Sequence, residues 1–270
     1  MKKTPFKDIT GQLVDYHIHT SLSDGRTNHH PYVKQAAKLG LSEIGFSDHI
    51  CLKKVPWSID LAKIPLMAET ISELKKSAPL PIKFGVEMDF IPGYEDKIKS
   101  VLQAMPLDYV IGSVHFLDEW NFDSYNSIST YQEWDLKELY SQYFRLIQLS
   151  AESKLFDILG HIDLIKKFGF RPECDIGELF TETAEIISKN KVCIEVNTSG
   201  LIKPCQEIYP SSQLLKICCD YGIPITLGSD AHKPGCVGQY FDDALMLIQQ
   251  IGYKKIAHFN ERKRILKDIQ

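Results

Sequence analysis

Short apolar, β-branched runs alternate along this sequence with longer segments of helical periodicity, and this alternation constrains the fold more than any other feature. The apolar runs are Leu13–Ile18, Ser42–Phe46, Ile82–Met88, Tyr109–Val114, Phe156–Leu159, Val192–Val196 and Pro224–Leu227. The helical segments are Pro31–Leu39, Ala68–Lys76, Glu95–Gln103, Trp134–Lys154, Ile176–Asn190, Ser211–Tyr221 and Asp242–Ile251. Seven such units predict a parallel sheet with both faces covered, either open and doubly wound or closed into a barrel.

Polar residues at the ends of the apolar runs favour the barrel. Every run ends in, or is directly followed by, a candidate ligand, an acid or an amide: His17 and His19, Asp48 and His49, Glu87, His115, His161, Asn197, and finally Asp230 and His232. A barrel gathers all its strand ends into one ring, whereas an open sheet spreads them along an edge. With no internal repeat, linker or biased segment, residues 1–270 are predicted to form one barrel domain of the α/β class.

Composition narrows the function classes. The chain is 44% hydrophobic and 24% charged, which excludes disordered and fibrous proteins. A net charge of −4 disfavours a broad basic face for nucleic acid. No apolar run could span a membrane, and the charged N-terminus lacks a signal segment. The seven scattered cysteines, without a C-x-x-C pair, are typical of reduced thiols, so we expect a cytoplasmic protein.

The segment Asp-Tyr-His-Ile-His-Thr is the first candidate for metal chemistry. On a strand, residues two apart point to the same face, so His17 and His19 could reach one ion. A single buried histidine is nevertheless more often a hydrogen-bonded core residue. Asp24, in Leu-Ser-Asp-Gly, equally fits an Asx turn before Gly25. Neither signal decides by itself.

The number of histidines and acids at strand ends argues against the alternative that they are ordinary core and turn residues. Six of the nine histidines and three acids fall at predicted strand ends. Burying so many titratable groups together without cations would be unfavourable by many kcal/mol. Mixed histidine and carboxylate shells suit zinc, manganese or iron. The other histidines, His29, His30 and His258, are predicted to face solvent.

Six ordered segments resemble those of the PHP (polymerase and histidinol phosphatase) family of phosphoesterases. They are Asp-Tyr-His-Ile-His-Thr, Phe-Ser-Asp-His, Gly-Val-Glu, Gly-Ser-Val-His-Phe, Gly-His-Ile-Asp and Gly-Ser-Asp-Ala-His, and they span residues 15 to 232. Gly-His-Ile-Asp-Leu, the following Lys-Lys-Phe, and Asn-Thr-Ser-Gly-Leu at Asn197 resemble the histidinol-phosphatase branch. The resemblance implies a distorted (β/α)7 barrel of the TIM-like type that holds three divalent metal ions, zinc, manganese or iron.

The same resemblance implies three ligand sets. The first ion would take His17, His19, Glu87 and Asp230; Glu87 would bridge to a second ion on His115 and His161; the third would take Asp24, His49 and His232. One departure is visible at the third set. Several histidinol phosphatases have a differently spaced histidine where this chain offers Asp24, although aspartate also occurs in the wider family.

Charge arithmetic favours a phosphate ester as substrate. Three divalent ions against the carboxylates of Asp24, Glu87 and Asp230 would leave an excess of about three positive charges, which would attract a phosphate dianion. We therefore expect a metal-dependent phosphatase that converts L-histidinol phosphate to L-histidinol and phosphate in histidine biosynthesis. The alternatives are a PHP enzyme for another small phosphomonoester or a nucleotide, and a non-catalytic metal-binding barrel.

Further site residues are predicted with alternatives. Glu87 and Asp230 would act in catalysis through the ions, while Asp48 would either orient a ligand, pass a proton or serve structure alone. Residues 117–131 would form either a lid or a surface loop. The substrate contacts are predicted to be Arg26, Arg171, Asn197 and Lys203. Many relatives have a basic residue directly after Asn-Thr-Ser-Gly-Leu, where this chain has Ile202 and then Lys203. No nucleic-acid or membrane partner is expected, and oligomeric state cannot be predicted.

Overall fold

Parallel strands build a nearly closed barrel. The computed structural model describes residues 13–269, so the charged N-terminus lies outside the described part of the chain. The strands of its sheet are β1 (Val14–Asp15), β2 (Glu43–Phe46), β3 (His49–Ile50), β4 (Ile82–Asp89), β5 (Tyr109–Ser113), β8 (Ile158–Leu159), β9 (Cys193–Asn197) and β10 (Ile225–Gly228). They run in the order β1-β2-β4-β5-β8-β9-β10, with β3 paired to β4.

The first and last strands of this sheet meet and close the ring. The backbone N–H of Tyr16 donates to the carbonyl of Leu227 at 3.2 Å, and Ile18 forms a parallel bridge with Ala231. The prediction of a barrel rather than an open sheet is confirmed. The carboxyl ends of the strands therefore surround one opening.

Within residues 13–269, seven α-helices cover the outside of the barrel. They are α1 (His29–Leu39), α2 (Ile64–Ser77), α3 (Glu95–Gln103), α4 (Leu136–Glu152), α5 (Gly177–Asn190), α6 (Ser212–Asp220) and α7 (Phe241–Ile251). Short 3₁₀ turns occupy Leu61–Lys63, Tyr125–Glu133, Leu164–Lys166, Ser199–Ile202 and Pro234–Cys236. Each predicted helix is present, because an apolar stripe such as Leu139, Tyr143 and Ile147 of α4 is buried against the sheet. No helix within residues 13–269 has the length and apolar character needed to cross a bilayer.

Aromatic side chains fill the interior of the barrel. Tyr109 is fully buried, and an added Cβ would lie 2.1 Å from its hydroxyl oxygen at Gly45 and 2.2 Å from its ring at Gly85. These two strand positions must therefore be glycine for the tyrosine to fit. The tyrosine hydroxyl donates to the carbonyl of Tyr16 at 2.6 Å.

A C-terminal hairpin covers the amino end of the barrel, and the sequence did not predict it. Its strands are β11 (Lys255–Asn260) and β12 (Lys263–Asp268). Thr226, near the start of β10, donates to the carbonyl of Ala257 at 3.0 Å. A second hairpin, β6 (Phe116–Leu117) with β7 (Trp120–Asn121), follows β5 on the opposite side.

Two of the three histidines predicted to face solvent are buried, and that expectation was wrong for them. His258 is 2% exposed because β11 packs it against the barrel, with its Nδ1 2.8 Å from Glu43 Oε1. His29 is 4% exposed and packs edge-on against Phe46. His30 is exposed, as predicted.

Candidate metal centre

Glu87, near the end of β4, lies at the middle of a histidine cluster at the carboxyl ends of the strands. It is 1% exposed. Its Oε2 lies 2.8 Å from His49 Nδ1, 3.2 Å from His17 Nε2 and 3.5 Å from His19 Nε2. Its Oε1 lies 2.9 Å from His161 Nε2 and 3.6 Å from His115 Nε2. One carboxylate thus faces five imidazoles that come from four strand ends, since His17 and His19 both follow β1.

Asp230 adds a second carboxylate from the loop after β10. Its Oδ1 lies 3.2 Å from His19 Nε2 and 3.7 Å from His17 Nε2. The Asp230 backbone adopts φ +53°, a left-handed conformation that costs energy in a residue other than glycine. Asp15 holds this loop, since its carboxylate accepts the backbone N–H of Ser229 at 2.9 Å.

A third group lies closer to solvent. Asp24 Oδ2 is 3.2 Å from His232 Nε2, and its Oδ1 is 3.8 Å from His49 Nε2. The Asp24 side chain is 33% exposed and that of His232 is 39% exposed. The sequence left open whether Asp24 forms only an Asx turn before Gly25. In the structure the Asp24 carboxylate lies beside His232 and His49.

Four sets of side chains place their ligand atoms within 4.8 Å of one another. They are His19, Asp24, His49 and His232; His17, His19 and Asp230; His17, Glu87 and His161; and His49, Glu87 and His115. All nine predicted ligand residues occur in these sets. The grouping differs from the predicted one, because His17, His19 and His49 each belong to two sets.

The buried polar atoms of the cluster fit a cation. Glu87 Oε2, His17 Nε2, His49 Nδ1 and both ring nitrogens of His19 have no hydrogen-bond partner among residues 13–269. Buried polar atoms are nearly always paired in folded proteins, so this concentration requires an explanation. Imidazole nitrogens and carboxylate oxygens around a common point are the donor set that zinc, manganese and iron accept.

Electrostatic interactions keep the Glu87 carboxylate ionised and the His19 imidazole neutral. Burial would raise the pKa of Glu87, but the surrounding imidazoles, His49 first, outweigh it and hold that pKa well below its usual range. Burial, together with neighbouring His49 and His232, lowers the pKa of His19 to about 3. A neutral imidazole offers a lone pair to a metal ion, and a charged one does not.

A cavity of about 550 Å³ opens over these residues. Within residues 13–269, four cationic side chains line it: Arg26, Lys167, Lys203 and Lys233. Asp123, Tyr125 and Trp57 line it as well. The centre therefore forms part of a polar cavity large enough for a small-molecule ester.

The predicted substrate contacts separate into two groups. Arg26 and Lys203 line the cavity. Arg171 lies outside it and pairs with Glu207 at 2.8 Å. Asn197 is fully buried, and its side chain bonds within the protein.

Asp48 also points away from the cavity. It is fully buried and accepts hydrogen bonds from the Thr20 backbone N–H at 2.7 Å, the Thr20 hydroxyl at 2.8 Å and the Ser23 hydroxyl at 2.6 Å. These contacts fit the structural alternative, since they fix the turn between His19 and Asp24.

The segment 117–131 is an ordered part of the cavity wall. It contains β7 and most of the 3₁₀ turn Tyr125–Glu133, and Tyr131 anchors it through hydrogen bonds of 3.2 Å to the carbonyls of Phe122 and Ile165. Asn121, Asp123, Ser124 and Tyr125 from this segment line the cavity.

Sequence reasoning missed Asp123 and Glu195. Asp123 pairs with Lys167, and Glu195 lies beneath the histidine cluster at 1% exposure. A signal for Glu195 existed, because it is the one acid inside the apolar run of β9. Asp123 carried no such signal, since it stands in a polar segment.

A family model for the PHP domain matches residues 15–199 of the chain. The chain belongs to the PHP family. A probable histidinol-phosphatase of Deinococcus radiodurans is 37% identical over 261 residues, covering 94% of this chain and 99% of that protein. The histidinol-phosphatase of Bacillus subtilis is 32% identical and covers 86% of this chain and 97% of its own length.

A solved structure shares the PHP fold of this chain. It is the histidinol phosphate phosphatase of Lactococcus lactis subsp. lactis, complexed with zinc, L-histidinol and phosphate. The two superpose with a TM-score of 0.80 at 23% identity, over 94% of this PHP chain and 99% of the other. The predicted PHP-type α/β barrel is thereby confirmed.

Proposed function

We propose that this PHP protein is a metal-dependent histidinol-phosphatase, which hydrolyses L-histidinol phosphate to L-histidinol and phosphate. The observation that carries the proposal is the cluster of unpaired, buried imidazole and carboxylate atoms at the base of a cavity with cationic residues in its wall. Support for the substrate comes from two histidinol-phosphatases that share at least 32% identity over most of the chain. The reaction would be a step of histidine biosynthesis.

The nine ligand residues would hold up to three divalent ions, zinc, manganese or iron. Bound there, such ions would stabilise the negative charge of the phosphate and acidify a water molecule. Glu87 is central to the proposal, because its two oxygens face different histidines and could serve two ions. His49 likewise presents Nδ1 to Glu87 and Nε2 to Asp24.

The cavity wall supplies candidate partners for the rest of the substrate. Arg26, Lys203 and Lys233 would attract the phosphate group, since guanidinium and ammonium groups donate to its oxygens. Among the residues that the structure describes, Asp123 is the one carboxylate of the wall outside the four ligand sets. Its charge suits the ammonium group of histidinol, and Lys167 fixes its position.

Phosphate release from metal-reconstituted protein tests the function. The enzyme, loaded with manganese or zinc, is given L-histidinol phosphate, a nucleoside monophosphate or a phosphodiester at matched concentrations. We expect kcat/KM for L-histidinol phosphate to exceed the others by several hundredfold. Equal turnover of the other esters would keep the metal centre and overturn the substrate.

An Asp123→Asn variant sharpens the assay. We expect it to raise KM for L-histidinol phosphate about tenfold, the effect of losing one charge-assisted contact. KM for an ester without an ammonium group, such as a simple alkyl phosphate, should stay unchanged. An equal rise for both esters would contradict recognition of the ammonium group.

A further inference from the structure

Glu195 of β9 contacts two of the proposed ligand residues at once. It is 1% exposed. Its Oε1 lies 2.6 Å from His17 Nδ1. Its Oε2 accepts the backbone N–H of His161 at 3.0 Å and the side-chain amide of Asn197 at 3.0 Å. A single carboxylate therefore links ligands that come from β1 and from the end of β8.

We propose that Glu195 is a positioning residue for the metal centre, which aligns His17 and His161 together; this rests on the metal centre of the proposed function. The carboxylate accepts a hydrogen bond from His17 Nδ1, so the Nε2 lone pair points toward Glu87 and Asp230. In metal sites such a contact fixes the tautomer and orientation of the ring. At His161 it holds the backbone, which adopts φ +21°, so that Nε2 comes within 2.9 Å of Glu87.

Asn197 and Ser199 extend this arrangement to a third ligand residue. Asn197 donates to Glu195, and its side-chain oxygen accepts the backbone N–H of Ser199 at 2.9 Å. The hydroxyl of Ser199 donates to Asp230 Oδ2 at 3.1 Å. Because β9 lies between β8 and β10, it can support ligands on both neighbours while contributing none to the four ligand sets.

The backbone beside Glu195 leaves room for the contact with His17. A Cβ added to Gly228 would lie 1.9 Å from Glu195 Oε1 and 2.7 Å from His17 Cβ. Any side chain at position 228 would displace the carboxylate from the imidazole. Gly228→Ala therefore disturbs the same contact from the opposite side and serves as an independent variant.

Two other buried carboxylates provide matched controls. Asp89 Oδ1 lies 2.9 Å from His115 Nδ1, so it supports one ligand residue instead of two. Glu43 Oε1 lies 2.8 Å from His258 Nδ1 at the amino end of the barrel, away from the ligand sets. Glu43→Gln and Glu195→Gln remove the same charge from a buried glutamate–histidine pair.

The experiment measures zinc dissociation constants by chelator competition, without substrate, on folded wild-type, Glu195→Gln, Asp89→Asn, Gly228→Ala and Glu43→Gln proteins. A glutamine at position 195 offers one acceptor oxygen to three donors, so at least one ligand residue loses its support. We expect Glu195→Gln to weaken zinc binding by about 10- to 100-fold, Gly228→Ala to weaken it in the same direction, and Asp89→Asn to weaken it less. Glu43→Gln should bind zinc within twofold of wild type.

Two results would overturn the proposal. One is a zinc affinity within twofold of wild type in both Glu195→Gln and Gly228→Ala. The other is an equal loss in Glu43→Gln, which would make the effect a general consequence of removing a buried carboxylate. A wild-type protein that binds no zinc, manganese or iron would instead overturn the metal centre itself, and a substrate other than L-histidinol phosphate would leave the result on Glu195 intact.

Discussion

Both ends of the barrel carry a buried glutamate beside histidine, but the two groups differ in how many of their polar atoms are hydrogen-bonded. At the carboxyl end, Glu87 faces five imidazoles, and many of the buried polar atoms have no hydrogen-bond partner in the described part of the chain. At the amino end, Glu43 accepts from the Tyr16 hydroxyl and lies 2.8 Å from His258 Nδ1. The Tyr16 hydroxyl also accepts the backbone N–H of Phe259 at 3.0 Å.

A metal site can therefore be distinguished from a hydrogen-bonded group that only stabilises the fold. A buried glutamate beside a histidine occurs in both, so that pair alone does not decide. At the amino end the hydrogen bonds are nearly complete, with His258 Nε2 as the unpaired atom of the cluster, so the group stabilises the fold. At the carboxyl end the unpaired atoms converge on common points, which a cation could occupy.

The largest expected effect is at Glu87. Glu87→Gln should lower kcat/KM by about 1,000-fold or more, because the several kcal/mol that bound ions contribute to the transition state would be lost with them. Metal content by elemental analysis should fall in parallel. Full turnover in Glu87→Gln would contradict the assignment of this carboxylate as the centre of the metal site.

The corresponding change at the amino end should act on stability instead. Glu43→Gln should lower the free energy of unfolding by about 1–3 kcal/mol, because the Tyr16 and His258 donors lose a charged, buried acceptor. Urea unfolding of the metal-free protein measures this, and metal content serves as the control. A loss of bound metal in this variant would remove the distinction between the two ends.

Two cationic side chains at the carboxyl end of the barrel differ in whether they line the cavity. Lys203 lines the cavity, whereas Arg171 lies outside it and is paired with Glu207. We expect Lys203→Ala to raise KM for the phosphate ester about tenfold, the value of one charge-assisted contact, while Arg171→Ala changes KM less than twofold. Steady-state kinetics of the two variants decides, and the reverse order of effects would show that Arg171 grips the phosphate.

The smallest expected effect is a pH dependence at the amino end. Burial would raise the pKa of Glu43, but hydrogen bonds from His258 and Tyr16 outweigh it and lower the pKa from 4.5. A carboxylate with a lowered folded-state pKa contributes stability above its unfolded pKa and loses it as pH falls through the folded value. Metal-free wild type should therefore lose more unfolding free energy than Glu43→Gln between pH 6 and pH 3, and parallel curves would argue against the shift.

Much of the barrel could be predicted from local pattern. The apolar runs and helical segments appear near their expected places, and α3 has the predicted bounds, Glu95–Gln103. Periodicity and turn residues are local signals, since they report which face of an element is buried. The C-terminal hairpin escaped prediction because Ile265 and Leu266 of β12 remain about half exposed, so no alternating burial marks the strand.

By itself the sequence determined which residues could form the centre, because strand ends in a parallel barrel converge wherever the chain supplies them. Only the tertiary structure decided which of them face the cavity and which support others. Glu195 of β9 contacts His17, which follows β1, and His161, which follows β8, and both partners are distant from it in the sequence. The sequence misplaced His258 for the same physical reason: the burial of a side chain depends on what packs over it, and at the amino end of this barrel that cover is formed by residues more than 200 positions from Glu43.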